Sequence, residues 1–353
     1  MTAHFPLIEA EVAPVETALI GSLDMLAHDG AGVLGRGAQP GPYDRIDWLR
    51  ATRDHIWPDT PFVAATARQG ADALWLPLRD CGHRRARGFA SWYTLAFAPL
   101  ATPGCPASVR AVLLAAIARR LRRRFGAITL WPLEPEISTE LQAAFRGAGW
   151  LAIERVEAAH WVAHTQGQDF DAYWARRASK LRNTVRRRAK NSAVDVQILD
   201  AFDPAAWADY EAVYAASWKP AEGSPGFLRA YAEQEGAAGT LRLGIARRGG
   251  RPVAAQFWTV ENGVATIHKL AHLESEREHS PGTLLSYAMF RHVLDHDRPD
   301  LIDYGNGDEP YKAEWMDERR ERHRLRLFDL RSVSGVAAGL AAATRATRRR
   351  LAR

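Results

Sequence analysis

The stretch from Thr266 to Trp315 constrains this chain more than any other, because strand, helix and strand patterns follow one another there with polar groups at each joint. From Val264 to Ala271 the two-residue period of a strand puts Val264, Thr266, His268 and Leu270 on one face. Ala265, Ile267, Lys269 and Ala271 fall on the other, so neither face is wholly apolar. Leu284, Leu285, Ala288, Met289 and Val293 then recur at helical spacing, with Ser280 expected as N-cap and Pro281 at the first helical position. A short strand at Leu301–Tyr304 and a polar loop from Gly305 to Lys312 close the stretch. A helix opening just after a strand offers unpaired backbone N–H groups and partial positive charge, which suits a phosphate.

The rest of the chain reads as a frame for this stretch. In the first half we expect a strand near Leu7–Val12, a helix over Tyr43–Ile56, and a hairpin of Phe62–Ala67 with Ala73–Leu78 around Gln69-Gly70. A third strand is expected at Ala90–Phe97, then a helix from Pro106 to about Arg124, a strand at Ala127–Trp131, a helix at Ser138–Arg146 and a closing strand at Trp150–Val162. Beyond the polar joint Thr165–Gln168, one helix is expected to carry the stripe Phe170, Trp174, Ala178, Leu181 and Val185. A strand at Val194–Ile198 follows, and Asp203-Pro204 and Ser224-Pro225 signal two further helices. Strands at Leu241–Ala246 and Val253–Val260, joined at Gly249-Gly250, lead through the Asn262-Gly263 turn into the stretch above; a last strand runs from His323 to Leu330. Both halves place a long helix before a short apolar strand, so the order implies a duplicated α/β unit. We divide the chain at 1–165 and 166–332, with a basic tail at 333–353.

Composition narrows the class. A chain of 353 residues with 47% hydrophobic and 25% charged residues has the make-up of a folded protein. No apolar run is long enough to span a bilayer, and the N-terminus carries no basic region followed by an apolar run, so the expected location is the cytoplasm. Cys81 and Cys105 are expected as free thiols, and no metal site is expected. The net charge of +6 is unevenly spread, with arginines gathered at Arg119–Arg124, Arg176–Arg188 and Arg345–Arg353. Such clusters attract phosphates, RNA or an anionic membrane surface, and the tail is a candidate for peripheral membrane contact. Neither a Walker loop nor a Gly-x-Ser-x-Gly elbow is present.

Several short stretches carry a resemblance. They are Tyr173-Trp174 through Lys180-Leu181-Arg182-Asn183, Gly250-Arg251-Pro252-Val253-Ala254-Ala255, Ser280-Pro281-Gly282-Thr283-Leu284-Leu285, and Asp308-Glu309-Pro310-Tyr311-Lys312 with Trp315. In this order they resemble the GNAT-fold acyltransferases of the Fem-like type, described as cellulose-biosynthesis-associated acetyltransferases. The resemblance implies tandem duplicated GNAT-like domains, each a mixed, mostly antiparallel sheet flanked by helices, the first degenerate. It also implies transfer of an acyl group from a thioester to an amine or hydroxyl, in cell-envelope or exopolysaccharide metabolism. The donor would be acyl-CoA or an acyl carrier protein, with no tightly bound cofactor. Glu278-His279-Ser280-Pro281-Gly282-Thr283 departs from the family's Gly-rich donor loop, and Pro281 removes an N–H donor. An aminoacyl-tRNA donor is therefore the alternative, and a non-catalytic RNA- or polyanion-binding protein is another.

Acyl transfer needs a base for the acceptor proton, donors for the oxyanion and an acid for the leaving group. His268, Asp303, Asp308 and Glu309 are the candidate bases, Tyr311 the candidate acid and Lys312 the charge compensator. The resemblance places the donor against Lys269, Ser280, Gly282 and Thr283; the candidate substrate contacts are Lys180, Arg182, Arg186, Trp218, Lys219 and Trp315. His268 also reads as a satisfied structural histidine, and Trp218 and Trp315 as core. Lys269 would need an anionic partner if buried.

Overall fold

The computed structural model of this chain describes residues 13–191, 193–333 and 335–339. Its strands are β1 (Glu16–Ile20), β2 (Phe62–Gln69), β3 (Asp72–Asp80), β4 (Arg85–Gly88), β5 (Leu100–Ala101), β6 (Ala127–Leu133), β7 (Trp150–His164), β8 (Val194–Leu199), β9 (Leu241–Arg248), β10 (Arg251–Glu261), β11 (Val264–His272), β12 (Leu301–Asn306) and β13 (Glu318–Asp329). The helices are α1 (Leu23–Asp29), α2 (Ile46–His55), α3 (Ala107–Leu121), α4 (Pro135–Gly147), α5 (Phe170–Ala175), α6 (Ser179–Asn191), α7 (Pro204–Ala215), α8 (Pro225–Ala237), α9 (Pro281–His292) and α10 (Lys312–Trp315).

The strands join one sheet in the order β1-β2-β3-β4-β6-β13-β7-β12-β11-β10-β9-β8, with β5 paired to β3. Read from its two ends, this order is a repeat: β1, β2, β3, β4 and β6 correspond to β8, β9, β10, β11 and β12. Both series are antiparallel until a parallel pair, β4 with β6 and β11 with β12. The last strand of each half then crosses over. β7 pairs with β12, β13 pairs with β6, and β7 and β13 pair with each other at the centre. Each half thus closes its sheet with the other's final strand, and Thr165 follows a strand lodged in the second half's portion of the sheet.

The core has three parts. α3 and α4 pack on one face of the first half around Leu113, Ile117, Phe145 and Leu325, and α5, α6 and α9 pack on the second half around Phe170, Tyr173, Met289 and Phe290. The third part bridges the halves, with α1 and α2 meeting α7 and α8. There Trp48 stands edge-on to Phe227 and Tyr231, both at 5.1 Å, contacts worth roughly 0.5–1.5 kcal/mol each beyond area burial.

Most expected elements form where the periodicity places them, with local causes visible. The Asp203 side chain accepts from Ala206 N–H at 2.7 Å and caps α7. Asn262 and Gly263 both adopt positive φ, as a two-residue hairpin turn requires. Four expectations change. Ala90–Phe97 is irregular rather than a strand, because the Ser91 and Thr94 hydroxyls take up backbone N–H groups of Ser91 and Tyr93 and fold a turn. The single helix from Phe170 breaks into α5 and α6, where Arg177 turns inward to the Trp315 carbonyl and Asp317 instead of facing solvent. Ser280 stands at the start of α9 in the left-handed region, at φ 52°, and its side chain makes no capping bond. The helix over Tyr43–Ile56 divides into a short 3₁₀ turn and α2. The expected strand at Leu7–Val12 and the tail from Leu340 lie outside the described residues. Among the described residues, no helix is long and apolar enough to cross a membrane.

Candidate functional site

The parallel pair β11–β12 holds register for only three residues, from Val264 opposite Leu301 to Thr266 opposite Asp303. Beyond that the strands part. Gly305 supplies the bend, with φ of 71°, and its N–H donates to Asp303 Oδ1 at 2.7 Å. A side chain at Gly305 would stand 3.4 Å from Leu95 and 3.8 Å from the Ile267 carbonyl. The parting strands open on a cavity of about 190 Å³ lined by Ile267–Leu270, Tyr304–Asn306 and Glu309, Tyr311 and Lys312.

Three lysines converge there. Lys312 is buried; its ammonium donates to the Asn306 carbonyl at 2.7 Å and lies 3.1 Å from Glu309 Oε2. Burial lowers the Lys312 pKa, opposed by Glu309. Glu309 is partly desolvated, which would raise it, yet its own backbone N–H and Lys312 bring it below the usual carboxylate range. Lys269 has the anionic partner its position demands: Nζ is 2.8 Å from Glu222 Oε2. Lys219, on the loop after α7, also faces the cavity and makes no ion pair among the described residues. Burial, and then the Lys269 ammonium, push it down to about 8.

Beneath Gly305 lies a buried polar row. His160 of β7 sits with Nε2 3.1 Å from Asp303 Oδ1 and Nδ1 3.0 Å from Asn306 Oδ1. Burial alone would raise the Asp303 carboxyl, but His160 and the Gly305 N–H hold it below the usual range. His268 lines the cavity but is wedged between Tyr231 and Phe257, with Nε2 2.8 Å from Thr259 Oγ1. Burial pushes it down to about 3, so it is a neutral, satisfied imidazole.

One wall belongs to the first half. Trp48 of α2 and Trp92, Tyr93 and Leu95 of the irregular segment line the cavity, and the Tyr93 hydroxyl bonds to Glu222 and accepts from the Ser224 N–H. None of these, nor Glu222, His160 or Asn306, stands out by motif. The hydroxyl-rich turn Ser91-Trp92-Tyr93-Thr94 was the available signal, since such hydroxyls favour turns over strands.

The sequence candidates separate accordingly. His268, Lys269, Glu309, Tyr311, Lys312 and Lys219 meet at the cavity, and Asp303 lies under it. Asp308 does not: it is exposed, bound by both arms of Arg319 at 2.9 and 2.7 Å. Trp315 is core, as its second reading had it, packed on Phe290 at 4.8 Å and absent from the cavity lining. Trp218 is 45% exposed, against its reading as core, and covers His272 at 4.3 Å. The His272 ring in turn lies over Gly282, 3.0 Å from where a Cβ would stand. Ser280, Gly282 and Thr283 therefore begin α9 beneath a stack of two rings. Lys180, Arg182 and Arg186 lie on α6, away from the cavity lining, with Lys180 extended toward Glu314 at 3.8 Å. Among the described residues, no group of three or more His, Cys, Asp or Glu side chains is arranged to hold a metal ion.

Comparison with known proteins agrees with this architecture. Residues 175–313 match the family model described as Acetyltransferase (GNAT) domain. The C-terminal domain of a putative lysylphosphatidylglycerol synthetase from Agrobacterium fabrum superposes with a TM-score of 0.55 at 11% identity, over 91% of this chain and 97% of that one. L-PGS from Bacillus licheniformis superposes at 0.50 with 13% identity, over 88% of this chain and 97% of that one. FemX superposes at 0.52 with 8% identity, over 79% of this chain and 94% of that one. No curated protein matches the sequence. Residues 175–313 thus match a GNAT domain, and the fold is similar to that of FemX, as the resemblance implied.

Proposed function

We propose that this protein is an acyltransferase that moves an acyl group from a thioester to an amine or hydroxyl in the cavity between its halves. The observation that carries the reading is the parting of β11 and β12 after Thr266 and Asp303, directly above a cavity flanked by Lys219, Lys269 and Lys312. The free edge of β11 from Ile267 to Leu270 gives an extended donor arm a strand to lie along, much as a peptide adds to a sheet edge. The acceptor enters from the side of Trp92 and Tyr93.

In this reading the acceptor nitrogen attacks the acyl carbon, its proton passes to neutral Lys219, and the carbon–sulfur bond breaks. Lys219 suits the role because its pKa lies near neutrality, and a positioned base is worth about 10²–10⁴-fold in rate. Lys312 offsets the oxyanion. Tyr311, kept protonated by burial, gives its proton to the departing thiolate and recovers one from Lys219. Glu309 fixes Lys312 instead of serving as base. His268, neutral and bonded to Thr259, shapes the wall, and Asp303 holds the Gly305 bend.

Thermal stability against coenzyme A, acetyl- and long-chain acyl-coenzyme A and acyl carrier protein tests the donor. One donor should raise the midpoint of the wild type, less so that of Lys312→Ala, and should turn over only with Lys219 intact. A chain indifferent to every thioester would sink the reading. A second reading, transfer from an aminoacyl-tRNA, is favoured by the start of α9: Pro281 lacks an N–H, and the His272 and Trp218 rings overlie Gly282, where a pyrophosphate would need open backbone. Stabilisation by charged tRNA, with none by thioesters, would select it.

A further inference from the structure

A second cavity, of about 380 Å³, lies in the first half between β3, β4, β6 and β13 and Ala338 of the segment after β13, far along the sheet from the parted strands. Its polar lining is dominated by Arg79, Arg85, Arg87 and Arg326, its floor includes Ala127 and Phe328, and no carboxylate among the described residues lines it. Register explains the gathering. Arg79 is directly opposite Arg87, Arg87 opposite Thr129, and Thr129 opposite Arg326, so one cross-strand row carries three arginines on one face. Arg85 is two residues from Arg87 and shares that face.

Like charges directly opposite on neighbouring strands oppose folding. Three other partly buried arginines meet carboxylates: Arg36 with Glu235 and Glu261, Arg122 with Asp329, Arg242 with Asp297. Partly buried Arg79 and the exposed Arg85 and Arg87 have no such partner among the described residues. Arg79 is also held in place: its guanidinium lies 4.0 Å from the Trp57 ring centroid, and its buried Nε makes no hydrogen bond. Burial and the Arg87 charge lower its pKa, though Cys81 opposes them. A guanidinium held against a ring, with an unused donor and with further guanidinium groups lining the same cavity, suits an anion.

We propose that this cavity binds a phosphate or diphosphate group through Arg79, Arg85, Arg87 and Arg326. Guanidinium forks match phosphate oxygens in pairs, and the anion removes the repulsion along the row. Phe328 and Ala127 leave an apolar floor for an organic substituent. The site is separate from the proposed acyl-transfer cavity and stands whether or not that reading holds.

The test is thermal unfolding and titration calorimetry at constant ionic strength with inorganic phosphate, pyrophosphate and ADP, on the wild type, Arg87→Ala and Arg87→Lys. We expect a saturable rise in the wild-type midpoint, of the order of a few degrees at about 100 times the dissociation constant. A stronger effect of ADP than pyrophosphate identifies an esterified ligand, and equal effects identify the free anion. Arg87→Ala should unfold at a higher temperature than wild type without anion and lose the rise; Arg87→Lys should keep part of it. Absence of a saturable effect beyond that of sodium chloride at equal ionic strength would overturn the proposal. So would an unchanged response in Arg87→Ala, or a loss of anion-free stability in that variant, which would make Arg87 a packing residue.

Discussion

Lys269 Nζ lies 2.8 Å from Glu222 Oε2, while the rings of Tyr93 and Tyr214 stand 4.9 and 5.2 Å from the same ammonium. Tyr93 comes from the first half and the other three from the second, so this cation is boxed across the seam of the duplication. The Tyr93 hydroxyl also holds Glu222 and the Ser224 N–H, which sets the loop carrying Lys219 at the cavity mouth.

Glu222→Gln leaves the Lys269 charge with rings but no counter-ion. Breaking a buried pair by removing one partner costs about 3–5 kcal/mol, and Lys269 retains some access to water, so we expect about 2–3 kcal/mol. Urea unfolding measures it. Glu222→Gln with Lys269→Met should recover most of the loss, because the uncompensated charge goes with its partner. A double variant no more stable than the single one would mean that the loop, rather than the charge, was damaged.

Lys219 gives a pH dependence of definite sign. Its native pKa of about 8 lies below the ordinary lysine value, so between about pH 8 and 10.5 the unfolded chain binds more protons than the native one. Its contribution therefore makes stability rise with pH across that window, with the full penalty present below pH 8. Lys219→Met should be more stable than wild type at pH 7 and should lack the rise. The same variant should lose the limb of acyl transfer that climbs as pH passes about 8. Retention of that limb would remove Lys219 as the base.

His268 works at the acid end. Burial depresses its pKa from 6.5 to about 3, so the native state stays neutral while the unfolded chain takes up a proton below pH 6.5. This group's contribution falls as pH drops from about 6.5 toward 3. His268→Phe should flatten that part of the stability curve while leaving the native fold intact. His272, also depressed by burial, adds a smaller slope of the same sign that persists in the variant. An imidazole signal from His268 titrating near pH 6.5 in the native protein would contradict the burial argument.

The repeat was legible because helices and strands with strong periodicity, such as α3 with β6 and α9 with β12, recur in order. The crossover of β7 and β13 was not. Each has the alternation of an ordinary closing strand, and nothing local records which half supplies its neighbours. The site divided in the same way. Lys269, Glu309, Tyr311 and Lys312 follow directly from the loop and strand that carry them. Glu222, Tyr93 and Trp48 reach the cavity only through contacts between halves, a relation that local spacing does not encode. Asp308 lies away from the cavity for a related reason: its partner, Arg319, comes from the strand beyond the loop and draws the carboxylate outward.

The first half shows why only one of the two parallel pairs opens on a cavity of this kind. β4 and β6 part as β11 and β12 do, but there the chain fills its own gap: Phe97 N–H donates to the Pro132 carbonyl at 2.6 Å, and the Phe97 ring covers Gly88 at 3.1 Å from a notional Cβ. Two residues earlier, Leu95 reaches Gly305 in the second half. One short segment thus plugs one parting of strands and walls the other. Phe97→Ala should cost about 3–5 kcal/mol, as for other buried phenylalanines, and the loss reads directly in urea unfolding. Freed of its anchor, Leu95 should no longer hold the wall, so whichever donor stabilises the wild type should stabilise this variant less at equal concentration. Leu95→Ala separates the two effects: it should weaken donor binding while costing less stability than Phe97→Ala. Donor binding unchanged in both would show that the first half's wall is not part of the site.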